Sequence, residues 1–172
     1  IVYGQIKLGF TSAQGAEKVV DIIGQGQTFG EAVMFMDKPY MVFAQALSDS
    51  LLLHISKAVI MDELTRDPKL GRKMIASLSM RLHHLITDVE SYSLHSGRQR
   101  IIGYLLRDNM ESDAQSLTVT LPTSKGVIAS RLNLTQEHFS RILHELQEND
   151  LITVQGRKIG IPNVEKLRGY DL

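Results

Sequence analysis

The sequence predicts an α+β chain in three consecutive parts: a β-roll or sandwich, one long helix, and a helix-rich segment closed by a β-hairpin. Three observations carry that expectation. Short runs of alternating apolar and polar residues, punctuated by Gly and Pro, occupy residues 1 to about 56. Beyond Lys57 the apolar period lengthens to that of a helix and includes a sustained heptad. Near the C-terminus, two helical runs joined at a three-residue turn precede two short strands.

In chain order, "IVYGQIKLGF" alternates as a strand, "TSAQGAE" supplies a turn, and "KVVDII" is a second strand. "GQGQTFGE" reads as a Gly-rich turn and "DKP" as another, after which "MVFAQAL" and "SLLLHIS" resume as strands. The chain opens without Met, already inside a strand, so an N-terminal portion is expected to precede it. "KAVIMDELTRD" predicts a helix that stops before Pro68. Ile75, Leu78, Leu82, Leu85, Val89 and Tyr92 then follow the alternating three-and-four spacing of an a/d seam. That strip is narrower than a monomer core usually requires and predicts pairing with a second copy; burial within its own chain is the alternative. Met74 and Ile86 flank it. "HSGRQ" interrupts near Gly97, and a domain boundary is expected there.

"RQRIIGYLLRDNM" continues as a helix and "SLTVTLP" as a strand, and "TSKGVIASRLNLTQEHFSRILHELQEND" divides into two helices at "LNL". "LITVQGRKIGIP" reads as a hairpin turning at Gln155-Gly156. In the second of the two helices, Phe139, Ile142, Leu143 and Leu146 form one apolar stripe, and Thr135 is placed to cap it. Its other edge carries Gln136, Glu137, Ser140, Arg141 and His144, a mixture of hydrogen-bonding side chains rather than the Lys and Glu of a solvated face.

Composition sets the limits. The chain has 172 residues, enough for one large domain or two small ones, and 43% are hydrophobic, which supports a packed core. There is no Cys, which excludes disulfides and thiolate metal sites within this stretch. No apolar run approaches the roughly 18 residues needed to span a bilayer. The 19 basic and 19 acidic residues balance, and the parts before and after Ser96 are each close to neutral. Bulk charge therefore cannot hold the chain on nucleic acid, and any such role must come from local placement.

Short helix, tight turn, amphipathic helix and hairpin are the order of a winged helix-turn-helix, whose second helix enters the DNA major groove. Each base pair presents a distinct set of donors and acceptors there: Arg suits guanine, Glu accepts from cytosine, and Ser adapts. On this reading Gln136, Glu137, Ser140 and Arg141 read bases. Lys125, Thr135, His144, Gly156 and Arg157 are placed to meet phosphates, the backbone N–H groups after Thr135 among them. The competing reading is a solvated helix in which Glu137 and Arg141 pair with each other at i,i+4.

With those motifs in view, the chain resembles the Crp/Fnr family of bacterial transcription regulators over almost its whole length. "GQGQTFGEAVMF" is similar to the end of the family's sensor roll, followed by its dimer helix and winged helix-turn-helix. "LTQEHFSRIL" places Glu137, Ser140 and Arg141 where the Fnr branch has Glu-x-x-Ser-Arg. The resemblance implies a cyclic-nucleotide-binding-like β-roll (a double-stranded jelly roll) over residues 1–68, N-terminally truncated and with a flanking helix. A dimerisation helix over 69–96 and a winged helix-turn-helix over 97–172 would follow. It further implies a cytoplasmic homodimer on a TTGAT-like inverted repeat in double-stranded DNA, with Arg141 on guanine and Glu137 on the opposite cytosine. The half-sites would lie roughly 34 Å apart, and RNA polymerase would be a partner.

For the sensor the resemblance implies an effector pocket around Gly30, Glu31, Arg81, Leu85 and Ile86. Gly30-Glu31 matches the pair that holds the ribose in cyclic-AMP-binding members. "DKPYMVFAQA" departs from their pattern, with Tyr40 and Met41 where the phosphate-binding Arg is expected. The iron–sulfur sensors of the family need Cys, so no cluster of that type is expected. "GEAVMFMDKP" and the apolar dimer helix most resemble the branch of dissimilative nitrate respiration regulators, which implies haem b and nitric oxide, with His54, His83, His84 and His95, or a residue of the expected preceding portion, as candidate axial ligands. An effector would then alter helix pairing around Leu82, Leu85 and Val89 and swing the reading helices about a hinge near His95 to Gly97.

Catalysis has little support. His84 and Asp88 are four apart on one helix, but two ligands do not make a metal site. Neither G-x-S-x-G nor a P-loop occurs. A cyclic-nucleotide-responsive regulator and an effector-independent DNA-binding dimer are the alternatives.

Overall fold

Glycine and hydrogen-bond pairing decide how much of the N-terminal alternation becomes sheet. In the computed structural model, which describes residues 1–107 and 115–170, strand β1 is Ile6–Thr11 and β2 is Glu17–Ile23. The predicted strand over residues 1–10 is shortened because Gly4 has φ +92°, a conformation that L side chains avoid and that breaks the ladder. Residues 1–3 instead form an isolated bridge, Tyr3 with Leu51, and Ile1 bonds to Gly26 and Gln27. Helix α1 (Glu31–Met36) was not anticipated: at six residues it is too short to show a period, and the segment before it does read as turn. Strand β3 is Phe43–Ala46, and the sheet runs β2-β1-β3 with antiparallel pairs. The run at 50–56 is not a strand: it contributes the single bridge at Leu51.

Helix α2 (Lys57–Arg66) is capped by the Ser56 hydroxyl, which accepts from the Val59 N–H. Pro68 then opens the next helix, at the first helical position where its missing N–H costs nothing. That helix, α3, runs Pro68–Leu94 without interruption. Asp67 accepts from the Lys69 N–H at 2.9 Å and helps to start it.

Helix α4 (Gly97–Leu106) begins with a capping box: the Ser96 hydroxyl accepts from the Gln99 N–H, and the Gln99 carboxamide accepts from the Ser96 N–H. Asp108, Asn109 and Met110, the end of the predicted helix, lie outside the described residues. Then follow β4 (Leu117–Thr120), α5 (Lys125–Arg131), α6 (Gln136–Glu148), β5 (Thr153–Gln155), β6 (Lys158–Ile161) and α7 (Val164–Arg168). The second sheet is antiparallel in the order β4-β6-β5. Helix α7 is too short to carry a periodic signal and was not anticipated. The chain thus consists of a three-stranded sheet with two short helices, a long helix, and a C-terminal helix-turn-helix followed by a hairpin.

The chain divides into two compact units, Ile1–Val89 and Glu90–Leu172, and the division falls inside α3. Among the described residues, the buried apolar side chains of the first unit are Ile6, Val19 and Ile23. The second unit has a continuous core of Ile101, Leu105, Leu121, Ile128, Phe139, Leu146, Leu151, Ile152, Ile159, Ile161 and Leu167, each almost wholly removed from water. The predicted stripe of α6 sits within it. Phe139 is fully buried, so Phe139→Ala is expected to cost about 3–5 kcal/mol. A lower urea midpoint for the unfolding of the second unit, measured in the full chain, checks this.

Candidate nucleic-acid interface

The turn between α5 and α6 is built by local chemistry. Asn133 adopts φ +58°, which Asn tolerates better than other non-Gly residues. The Leu134 N–H donates to the Ala129 carbonyl at 2.9 Å and the Asn133 N–H to the Ser130 carbonyl at 3.1 Å. That pair of bonds is a Schellman closure of α5. Immediately afterwards the Thr135 hydroxyl accepts from the His138 N–H at 3.2 Å, so Thr135 is the N-cap that its position predicts. The N–H groups of Gln136 and Glu137 remain at the open end of the helix, where backbone donors and the helix dipole favour an anion.

With Phe139, Ile142, Leu143 and Leu146 buried, the opposite edge of α6 faces water. Gln136, Glu137, Ser140 and Arg141 are all exposed. Among the described residues no ion pair joins Glu137 to Arg141. Neither of these side chains, nor that of Ser140, has a hydrogen-bonding partner within the described residues. His144 differs: its Nε2 lies 3.3 Å from the Glu148 carboxylate. Gln136 leans toward α5, its Oε1 against Gly126, where a Cβ would collide with it.

Lys125 is half-buried in the first turn of α5. The hairpin turns over Gly156-Arg157, one residue later than expected, with Gly156 at φ +62° and Gln155 paired to Lys158. The Leu121 N–H donates to the Arg157 carbonyl at 2.8 Å, which fixes the backbone at the tip and leaves the side chain exposed.

Behind this surface lies a set of contacts that sequence reasoning missed. The Tyr92 hydroxyl donates to the Arg131 carbonyl and accepts from Arg131 Nη1 at 2.8 Å. Arg100 lies over the Tyr92 ring, 6.0 Å from its centroid, and its Nη1 donates to the Leu132 and Asn133 carbonyls at 2.8 and 3.2 Å. Gly97 packs against Leu134, His138 and Ile142, and a Cβ there would meet all three at 3.1–3.3 Å. Arg98 pairs with Glu145 at 2.6 Å. The one available signal was the density of Arg near the ends of α4 and α5, and it does not name partners.

Along α3, Ile75, Leu82, Leu85 and Val89 are 66, 60, 47 and 64% exposed. Leu78 and Tyr92, the other two residues of the predicted seam, are half-buried, and Tyr92 is directed to Arg131.

In the first unit the structure brings Glu31 and Arg81 together: Arg81 Nη1 lies 3.2 Å from Glu31 Oε2. Arg81 also donates to the Thr28 carbonyl, and the Thr28 hydroxyl donates to Glu31 Oε1. Both carboxylate oxygens are therefore engaged. Tyr40 sets its phenol oxygen against Gly30, where a Cβ would collide with it. Asp37 is held by Lys57, and the segment from Asp37 to Ala46 contains no Arg. The Arg that the resemblance to cyclic-AMP-binding members implies is therefore absent from this segment, and Glu31 is already paired. Leu85 and Ile86 are exposed. His54, His83, His84 and His95 are all exposed, so none offers an axial ligand inside an apolar slot, and these residues do not fit haem. Among the described residues no three metal-ligating side chains gather, and no helix is long and apolar enough to cross a membrane.

Two family models match parts of the chain. The family model for a Crp-like helix-turn-helix domain matches residues 99–170, and that for a cyclic nucleotide-binding domain matches residues 1–67. A crystal structure of a protein from Ruegeria pomeroyi, described as a candidate cyclic nucleotide binding protein, is 31% identical. It covers 99% of this chain and 74% of that one, with a TM-score of 0.63. The transcriptional regulator flp of Lacticaseibacillus casei is 24% identical over 99% of this chain and 77% of its own length. The anaerobic regulatory protein of Pasteurella multocida is 27% identical over 95% of this chain, which spans 61% of that relative.

The Thr135 cap is the smallest test of how the exposed edge of α6 is held. Thr135→Ala is expected to lower stability by about 1 kcal/mol. Thr135→Ser should restore most of that loss, read by thermal denaturation of the two variants side by side.

Proposed function

The chain belongs to the Crp/Fnr family of transcription regulators, with a cyclic-nucleotide-binding-type domain and a Crp-like helix-turn-helix, and on that footing we propose that it is a homodimer reading an inverted repeat in double-stranded DNA. The carrying observation is the edge of α6. Glu137, Ser140 and Arg141 are exposed and without protein partners, on a helix whose other side is fully buried. Such side chains keep their hydrogen-bonding capacity for base edges. Arg141 would contact guanine, Glu137 the opposite cytosine, and Gln136 and Ser140 neighbouring bases of a TTGAT-like half-site. Lys125, Arg157, His144 and the N–H groups after Thr135 would set the register on the phosphates. Bound in this way, the dimer would engage RNA polymerase.

The exposed strip on α3 supports the two-fold arrangement. Ile75, Leu82, Leu85 and Val89 repeat at heptad positions and remain in water in a single copy, and a second copy would bury them in a coiled coil. Two reading helices about one helical turn apart follow from that symmetry.

For the effector, the engaged Glu31 and the absence of the expected Arg between Asp37 and Ala46 favour a regulator that does not respond to cyclic AMP. The nitrate-respiration branch, with haem and nitric oxide, rests on the resemblance of "GEAVMFMDKP" and the apolar dimer helix, and the exposed histidines do not support it. Effector binding in the first unit would act by shifting the populations of helix pairings.

A mobility-shift comparison of TTGAT-containing and scrambled duplexes tests this reading; equal affinity for the two would overturn it. Arg141→Ala is expected to cost about 1–3 kcal/mol and relax selection at one base pair. Arg157→Ala should weaken all sequences alike and reduce the salt slope by about 1. Leu82→Glu should shift the sedimenting species from dimer toward monomer at micromolar concentration and lose the inverted-repeat complex with it.

A further inference from the structure

Gly126 stands in the first turn of α5, just after the Ser124 cap. Its φ is not positive, so the backbone there would accept any helix-forming L residue. Inside a helix, glycine is also the weakest choice after proline. What uses the bare Cα is Gln136, the first residue of α6. A Cβ on Gly126 would lie 2.6 Å from Gln136 Oε1 and 3.5 Å from its Cδ, while Gln136 Nε2 stays beyond 4 Å. The carboxamide therefore sits with its oxygen toward α5 and its nitrogen turned away.

Gln136 is nevertheless exposed, so the end that faces away from α5 can meet a ligand. A glutamine free to rotate can offer either end of its amide, as donor or as acceptor. Seated over Gly126, it offers the two N–H donors. A donor suits O4 of thymine or O6 of guanine and is mismatched against N6 of adenine or N4 of cytosine. Every base pair carries one keto base and one amino base at its major-groove edge. A donor held in place thus tells a pair from the same pair inverted.

We infer that Gly126 is a positioning residue for base selection: its missing side chain seats the Gln136 carboxamide with the oxygen inward, so that Gln136 presents donors and selects the keto base at one pair of the half-site. Gly126 and Gln136 both belong to the second compact unit. The inference rests on the DNA-reading function proposed above and adds how one of its base contacts acquires its preference.

The test measures binding of the full chain to a TTGAT-type inverted repeat and to duplexes in which each pair of one half-site is inverted in turn. The wild type is expected to bind the parent duplex about fivefold more tightly than the one inverted at the pair that Gln136 meets. Gln136→Ala identifies that pair by erasing the difference there. Gly126→Ala leaves Gln136 in the chain and displaces its oxygen. It is expected to erase the difference at the same pair and to keep wild-type selection at the pair that Arg141→Ala relaxes. Combined with Gln136→Ala, it should add nothing further. Undiminished selection at the Gln136 pair in Gly126→Ala, an equal loss at every pair, or a Gln136→Ala variant with unaltered selection throughout would each overturn the inference. Alanine is favoured over glycine in a helix, so Gly126→Ala is expected to fold with a Tm no lower than the wild type. Should it not fold by circular dichroism, Gly126→Ser places a Cβ at the same point and is read in the same way. A wild-type protein that binds every inverted duplex as tightly as the parent would instead sink the DNA-reading function itself.

Discussion

The second unit is organised by the need to satisfy backbone groups where α5 stops and α6 starts within four residues. A helix leaves its last carbonyls and the next helix its first N–H groups without internal partners, and burying them unpaired would cost more than a short turn can recover. Asn133 at positive φ, the two closing bonds to Ala129 and Ser130, and the Thr135 cap meet that need locally. Only when the turn is closed can Phe139, Ile142, Leu143 and Leu146 enter the core together. Their entry in turn fixes which edge of α6 is left in water. The identity of the exposed edge is therefore a consequence of a backbone constraint one turn earlier in the chain.

This order of causes explains which features are legible in the sequence. Helix α6, its stripe and its cap are visible because period and capping act within a few residues of one another. The long helix is visible for the same reason, and so is the hairpin, apart from a one-residue displacement of its turn. Helices α1 and α7 are not, since five or six residues span less than two turns. The run at 50–56 has strand composition, but a strand exists only where a neighbour pairs with it, and here only Tyr3 does. Tyr92 shows the limit most clearly. Its heptad spacing is real, yet spacing cannot reveal that its hydroxyl meets Arg131, a residue far along the chain and fixed by tertiary packing. The contacts of Arg100 and Gly97 are invisible on the same grounds.

In the first unit, resemblance and geometry part company. Gly30-Glu31 stands where a ribose-binding pair would, yet the carboxylate is taken on one oxygen by Arg81 and on the other by Thr28. An arginine that is one-third exposed and already paired is a poor phosphate ligand, because a new anion must first displace a carboxylate of the same charge. The pairing instead ties α3 to the start of α1, two elements that carry the surfaces an effector would have to reach. A domain of this type can thus keep the scaffold of nucleotide binding while its polar groups are satisfied internally.

Charge connects the dimer strip to the reading head. The chain is neutral overall, and each α6 edge is itself mixed, with Glu137 beside Arg141. Non-specific attraction to DNA grows with the number of phosphates neutralised, so one copy with Lys125, Arg157 and a helix terminus would hold a duplex weakly at physiological salt. Joining two such heads, as proposed, would change the arithmetic: once one head was seated, the second would bind at an effective concentration set by the link between them rather than by solution. That gain is available only if the heads are held at the separation of the two half-sites. For a chain with no net positive charge, the proposed binding to an inverted repeat would therefore draw its affinity from joining two heads rather than from charge.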